Sequence, residues 1–433
     1  MNRIKTVIRK IWKSIKPKSL FYDEGGYRFM RLGQREQNGF QYHAIWGCNW
    51  ERHVAYGKIK VSILFDAMIW WNHWEPILKA FLDDDGFDTL VIINDRFQKD
   101  GHNIMEMIQS VKALGGEYIE YSHYSASRDN PDIVLINDPV DDATDLLSLK
   151  QHSKQVIFIS SYLMHYRKTT KEFAQLLKNN IGILDPDYYC FDSYLYNQIK
   201  ELKDSSFDNK LVELGNSKYD GIYWACKNKI TKWDKLKGRK VVLWTTTHGA
   251  YGNAINVRVT FDLFARYIFD YFRGHKEFGL IFRPHPLLIM ELIKNYQWKQ
   301  SEIDEIIREM DASDNMVFDQ SETYNFAYAS SDAIVGDLDS GIMISAFPMM
   351  KPILGLHRPE TNANQVADFA QDVYRASRIE DIQSFFDMIM SGEDYMLEQR
   401  KKRIRKYVKN YEGNNGVLIK EFIKEQFRKR VIK

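Results

Sequence analysis

The chain has 433 residues, 44% of them hydrophobic and 27% charged, so it is globular and long enough for two or three domains. Its net charge of +2 excludes a general polyanion or nucleic-acid binder. Cys48, Cys190 and Cys226 are too few and too far apart for a disulfide framework or a zinc site, and no apolar run is long enough to span a membrane or to serve as a secretory signal.

Residues 1–20 carry Arg3, Lys5, Arg9, Lys10, Lys13, Lys16 and Lys18 and no acid. Ile4, Val7, Ile8, Ile11, Trp12 and Ile15 fall at helical spacing on one face, and Pro17 ends the pattern. A basic amphipathic helix with a tryptophan is expected to lie on an anionic membrane surface. The plainer alternative is a terminal helix docked on the protein itself. Tyr42, His43, Trp46, Trp50, His53 and Tyr56 crowd residues 21–57, which read as a packed irregular cap rather than a ligand cage.

From Lys58 the pattern alternates. Strands are expected at 58–65, 89–94, 118–121, 132–137, 155–160, 188–191 and 211–214, with helices at 74–82, 104–114, 143–150, 168–178 and 193–202. Residues 227–239 are polar and basic and read as a linker. A second alternation follows, with strands at 240–244, 278–282, 316–318, 333–335 and 352–356. Its helices are expected at 261–272, 287–296, 301–310, 323–329 and 341–347, and helices over 379–390, 393–410 and 415–430 close the chain. The basic residues of the last helices read as exposed.

The expected fold class is α/β: two Rossmann-like doubly wound domains in the GT-B arrangement. The divisions are 1–20, the membrane-surface helix; 21–226, an N-terminal acceptor domain; 227–239, the linker; 240–392, a nucleotide-donor domain; and 393–433, the closing helices. No G-x-G-x-x-G and no Walker A sequence is present, which argues against a dehydrogenase or a P-loop enzyme.

The segment Phe278-Gly-Leu-Ile-Phe-Arg-Pro-His-Pro286 is a buried strand that two prolines stop. It leaves Arg283 and His285 at the carboxyl end of a parallel strand, the edge where open α/β sheets bind ligands. A surface histidine beside an arginine salt bridge is the alternative. Asp337-Leu-Asp-Ser-Gly341 reads as a loop entering a helix, with backbone N–H groups and the Ser340 hydroxyl turned to an anion. The same stretch contains a D-x-D spacing, but no metal is expected.

Arg283-Pro-His-Pro286, Gly215-Asn-Ser-Lys-Tyr-Asp220, and Ser331-Asp-Ala-Ile-Val-Gly-Asp-Leu-Asp-Ser340 followed by Lys351-Pro352 resemble the motifs of the CDP-glycerol glycerophosphotransferase family, the teichoic acid polymerases and primases. The match in order and spacing covers residues 155–356. The resemblance implies transfer of a polyol phosphate from a CDP-linked donor to a polymer or lipid-linked acceptor at the cytoplasmic membrane face. It requires no cofactor beyond the donor itself. It places His285, Arg283, Lys218, Asp220, Asp337, Ser340 and Gly341 at the donor.

The family's Trp-His-Gly-Thr-Pro motif, source of the acceptor base, is replaced here. Ser160-Ser161 stands at its place, and His165 follows a few residues later. His248, in Thr245-Thr-Thr-His-Gly249, is the other candidate base. Two alternative functions stay open: a capsular polysaccharide glycosyltransferase using a nucleotide sugar, and a catalytically inactive scaffold that binds membrane or polymer.

Overall fold

The computed structural model describes residues 21–24, 27–31, 43–45, 52, 57–95, 103–137, 143–161, 170–180, 184–248, 259–296, 298–321, 323–338, 345–359 and 371–431. The expected helix over 1–20 lies outside these residues, as do His165, Ser340 and Gly341.

Part of the segment expected to be an irregular cap is strand. β1 (Phe21–Glu24), β2 (Tyr27–Arg31) and β3 (His43–Ile45) form an antiparallel sheet in that order. Weak alternation and a high glycine and aromatic content hid it from a reading by period.

The first large sheet is built from β4 (Ile59–Phe65), β5 (Phe87–Ile93), β6 (Glu117–Glu120), β7 (Ile133–Ile136), β8 (Gln155–Ile159), β9 (Tyr188–Phe191) and β10 (Leu211–Glu213). Every pair in it is parallel, in the order β10-β9-β8-β7-β4-β5-β6. β7 and β8 are buried throughout, as strands covered on both faces must be. One face carries Val61, Ile63, Phe65, Ile133, Leu135, Ile157 and Ile159 against the helix Trp71–Leu82. The other carries Leu64, Leu90, Ile92, Val134, Ile136 and Phe158 against Phe173, Leu177 and Leu195.

The second sheet comprises β11 (Lys240–Thr246), β12 (Phe278–Pro284), β13 (Met316–Phe318), β14 (Ala333–Asp337), β15 (Ile353–Leu356) and β16 (Tyr374–Ala376). It too is fully parallel, ordered β13-β12-β11-β14-β15-β16. The aromatic helix Phe261–Gly274 covers one face, where Trp244 lies 5.5 Å from Phe261 and 4.8 Å from Phe282, centroid to centroid.

Numbered from their first strands, the two sheets share the order 3-2-1-4-5-6, with a seventh strand added to the first. In each the strand order reverses once, between β4 and β7 and between β11 and β14. Those are the points where a crevice opens at the carboxyl edge.

The two halves are laced together by exchanged helices. The helix Lys218–Lys227, absent from the sequence reading, buries Tyr219 and Ile222 against Val241, Leu243 and Tyr328 of the second half. The chain therefore passes to the second core before the 227–239 stretch. The last helix, Asn415–Val431, returns to the first, burying Ile419, Ile423 and Phe427 with Trp74 and Ile77. Gly416 allows that return, since a Cβ there would stand 2.3 Å from the Pro76 carbonyl oxygen. Two bases expected on exposed faces are instead inward ties. Arg400 is fully buried and pairs with Asp394, and Lys420 pairs with Asp84 at 2.9 Å.

Candidate functional site

The carboxyl edge of the second sheet brings His248 and His285 together. β11 and β12 run in register, with Thr246 opposite Pro284, and the His285 N–H donates to the Thr246 carbonyl at 3.0 Å. One residue beyond β12 and two beyond β11, the imidazole centroids stand 4.0 Å apart. The Leu287 N–H donates to His285 Nδ1 at 3.1 Å, so the neutral ring carries its proton on Nε2. His248 is buried and His285 half-buried.

The charged neighbours of this pair are matched within the protein. Arg283 donates through Nη1 to Asp319 at 2.6 Å and through Nη2 to the Ser321 carbonyl at 2.8 Å. Asp319 sits immediately after β13, its N–H bonded to Phe282, so the ion pair spans neighbouring strand ends. Asp337 ends β14 and is wholly buried. One carboxylate oxygen accepts the Thr247 N–H at 2.6 Å, and the other accepts the Thr260 N–H at 3.0 Å and the Thr260 hydroxyl at 2.5 Å. Thr260 is the cap residue of the helix Phe261–Gly274, so the positive end of that helix is filled by a carboxylate of the chain itself. Asp337 thereby fixes the backbone that presents His248. At the next strand end, Arg358 grips Asp262 with both distances at 2.6 Å.

Lys218 and Asp220 lie apart from the histidines, on the helix that bridges the halves. The Lys218 ammonium stands 4.7 Å from the Trp70 ring centroid. Asp220 accepts from the Asn415 N–H at 3.0 Å, the Asn415 side chain at 2.6 Å and the Gly416 N–H at 2.8 Å, so it caps the last helix. Burial pushes its carboxyl up to about 6. Among the described residues no three His, Cys, Asp or Glu side chains gather as metal ligands, and no helix is long and apolar enough to cross a membrane.

The first sheet's carboxyl edge gathers Ser160 and Ser161, at the place of the replaced motif, with four residues that no motif marks. Asp66, Asn94, Asn137, Ser160, Ser161 and Asp192 all follow strand ends and are all buried. Asn94 donates to Asp66 at 2.9 Å. His73, in the helix after β4, is wholly buried, with Nδ1 2.8 Å from the Ser217 hydroxyl. Burial, reinforced by the nearby Lys218 charge, holds its pKa well below the ordinary histidine value, so the ring is neutral. The available signal was positional: Asp66, Asn94 and Asn137 each interrupt an apolar run where a parallel strand ends.

Solved structures match this arrangement over most of the chain. A UDP-GlcNAc 2-epimerase from Neisseria meningitidis, bound to UDP-GlcNAc, superposes with a TM-score of 0.56 at 15% identity, covering 85% of this chain and 100% of its own. The wall teichoic acid polymerase TagF gives 0.55 at 10% identity, covering 86% and 90%. S. aureus MnaA in complex with UDP gives 0.55 at 13% identity, covering 86% and 97%. The chain has a GT-B fold. No family model and no curated protein sequence matches it. The GT-B likeness is thus carried by topology, shared with a teichoic acid polymerase and with nucleotide-sugar epimerases alike.

Proposed function

We propose that this GT-B protein is a transferase that moves a polyol phosphate from a CDP-linked donor to a cell-surface polymer, teichoic acid or capsule, with the second sheet's edge binding the donor diphosphate. The observation that carries this reading is the His248–His285 pair at the carboxyl ends of β11 and β12, beside the strand-order reversal where ligands of doubly wound sheets bind. The acceptor oxygen forms a bond to the donor's β-phosphorus as the bond to the departing CMP breaks. His285 donates from Nε2 to the diphosphate as charge accumulates there, and the acceptor proton passes to a histidine base, His248 or His165. Ser340 and Gly341 complete the donor surface in this proposal, while Arg283 stays paired with Asp319 and Lys218 and Asp220 stand on the bridging helix. Asp337 holds the Thr247–His248 turn in place. No cofactor takes part.

The likeness to epimerases that bind UDP and UDP-GlcNAc favours a second reading, a glycosyltransferase with a nucleotide-sugar donor. Thermal shift with CDP, CMP, UDP, CDP-glycerol and CDP-ribitol separates the two, because a ligand that binds only the native state raises its melting temperature. CDP and CDP-polyols should raise it, and His285→Ala should abolish the rise. A rise with UDP alone refutes the polyol reading, and a rise with none of them leaves the inactive scaffold.

The protein acts, in this proposal, at the cytoplasmic face of the membrane, held by residues 1–20. Removing those residues should release it from anionic vesicles, and undiminished binding would overturn the assignment.

A further inference from the structure

Among the described residues at the sheet edges, Asn137 has both side-chain polar atoms buried and unpaired. It directly follows β7, is fully buried, and neither its Nδ2 nor its Oδ1 makes a hydrogen bond to a described residue. Strand alternation places it on the side of the sheet occupied by Ile133 and Leu135, which face Phe65, Ile159, Trp71 and Trp74. Ile136 pairs with Phe158, so Asn137 comes beside Ile159. The Ile159 carbonyl in turn is a hydrogen-bond partner of the buried His73 ring. Ser161 approaches from the same strand end, its hydroxyl 3.4 Å from the Asn137 carbonyl. The acidic Asp66–Asn94 pair takes the opposite alternation and stands on the other side.

Buried amides are normally paired, so an amide with both ends open signals a partner that the described residues do not supply. The chemistry of the amide narrows that partner. Nδ2 donates and Oδ1 accepts, so a phosphodiester, which only accepts, leaves Oδ1 unpaired, and an ammonium, which only donates, leaves Nδ2 unpaired. A hydroxyl does both, and adjacent hydroxyls do so with good geometry. The neutral His73 ring and the Ser161 hydroxyl extend the same uncharged, two-way hydrogen bonding.

We propose that Asn137 is a hydroxyl-recognition residue of a second ligand site, in the first crevice, which takes the diol end of an uncharged polyol or sugar. In the transferase reading on which this rests, that group is the end of the acceptor. The amide sets which hydroxyl is presented, because a site built to bond a hydroxyl rejects an analogue lacking it far more strongly than an apolar pocket can.

The test uses the full chain and saturation-transfer NMR with ribitol as the probe and inorganic phosphate as the competitor. Wild-type protein should transfer saturation to ribitol, undiminished by excess phosphate or by saturating CDP or UDP. Asn137→Leu and Asn137→Ala should both reduce the transfer to background. Asn137→Leu should melt at or above the wild-type temperature, since it removes an unpaired buried amide. No transfer from wild type would mean that water alone fills the amide, which overturns the proposal. Equal transfer from both variants, or displacement of ribitol by phosphate, would do the same. A fall in melting temperature for Asn137→Leu with ribitol binding retained would make the amide structural and also overturn it. Failure of the donor reading shows separately, as no nucleotide-dependent rise in the wild-type melting temperature, and leaves the ribitol result standing.

Discussion

The two sheet edges share a topology and differ in chemistry. Both sheets reverse strand order at their first strand, and both bury polar residues where the strands stop. At the first edge those residues are amides, hydroxyls, carboxyls and a neutral imidazole. At the second they are two imidazoles in tilted contact among arginines already matched to carboxylates, Arg283 to Asp319 and Arg358 to Asp262. The topology thus sets where a crevice opens, and the few residues after each strand set what can enter it. Cations neutralised in advance leave the histidine pair as the group able to answer an incoming diphosphate. An edge tuned by burial alone is suited to an uncharged partner.

The sharpest break of this contrast is Asp319→Ala. The carboxylate is 1% exposed and its arginine 14%, so removing it strands a largely desolvated charge. A loss of about 3 kcal/mol in stability is expected from chemical denaturation. A loss under about 0.5 kcal/mol, the size of an exposed pair, would return Arg283 to the set of freely available phosphate donors.

A pH-dependent effect tests the burial side. Asp192, which caps the helix Ser193–Glu201 by accepting from the Leu195 N–H, is pushed by burial up to about 7. Asp220 is raised in the same way to about 6. An acid raised in the folded chain holds its proton there more readily than when unfolded, so its contribution to stability is full below about pH 4. That contribution is lost as pH rises through about 6 for Asp220 and about 7 for Asp192. Asp84 has the opposite sign. Hydrogen bonds from Lys420 and Lys424 hold it far below the usual carboxylate range, so its contribution is present above about pH 4 and is lost in acid. Stability measured by urea unfolding should therefore fall between pH 5 and pH 8, by at most about 4 kcal/mol. Asp192→Asn keeps a capping side chain and should flatten the slope above pH 6. An unchanged slope would show that the carboxyl is not what titrates.

Much of this was legible in the residues. The apolar runs at 58–65, 155–160 and 278–282 each became a buried parallel strand, because only β-bonded segments covered on both faces carry such runs. Arg283 and His285 stand at a carboxyl edge as the two prolines required. The antiparallel strands before residue 46 and the helix Lys218–Lys227 were not legible, since neither has a clean apolar period.

The sequence by itself determined the alternation of strand and helix, and with it two parallel sheets and the strand ends where chemistry gathers. Periodicity is local, and a strand or helix is specified by its own few residues. Only the tertiary structure decided which of those ends meet. His248 and His285 are 37 positions apart in the chain and are joined by the register of β11 on β12. Arg283 is claimed by Asp319, Asp337 by a helix end, and Asp220 by the first turn of the last helix. Whether a buried polar group is satisfied depends on partners brought from elsewhere in the chain, and for that reason the open amide of Asn137 could be found only after folding.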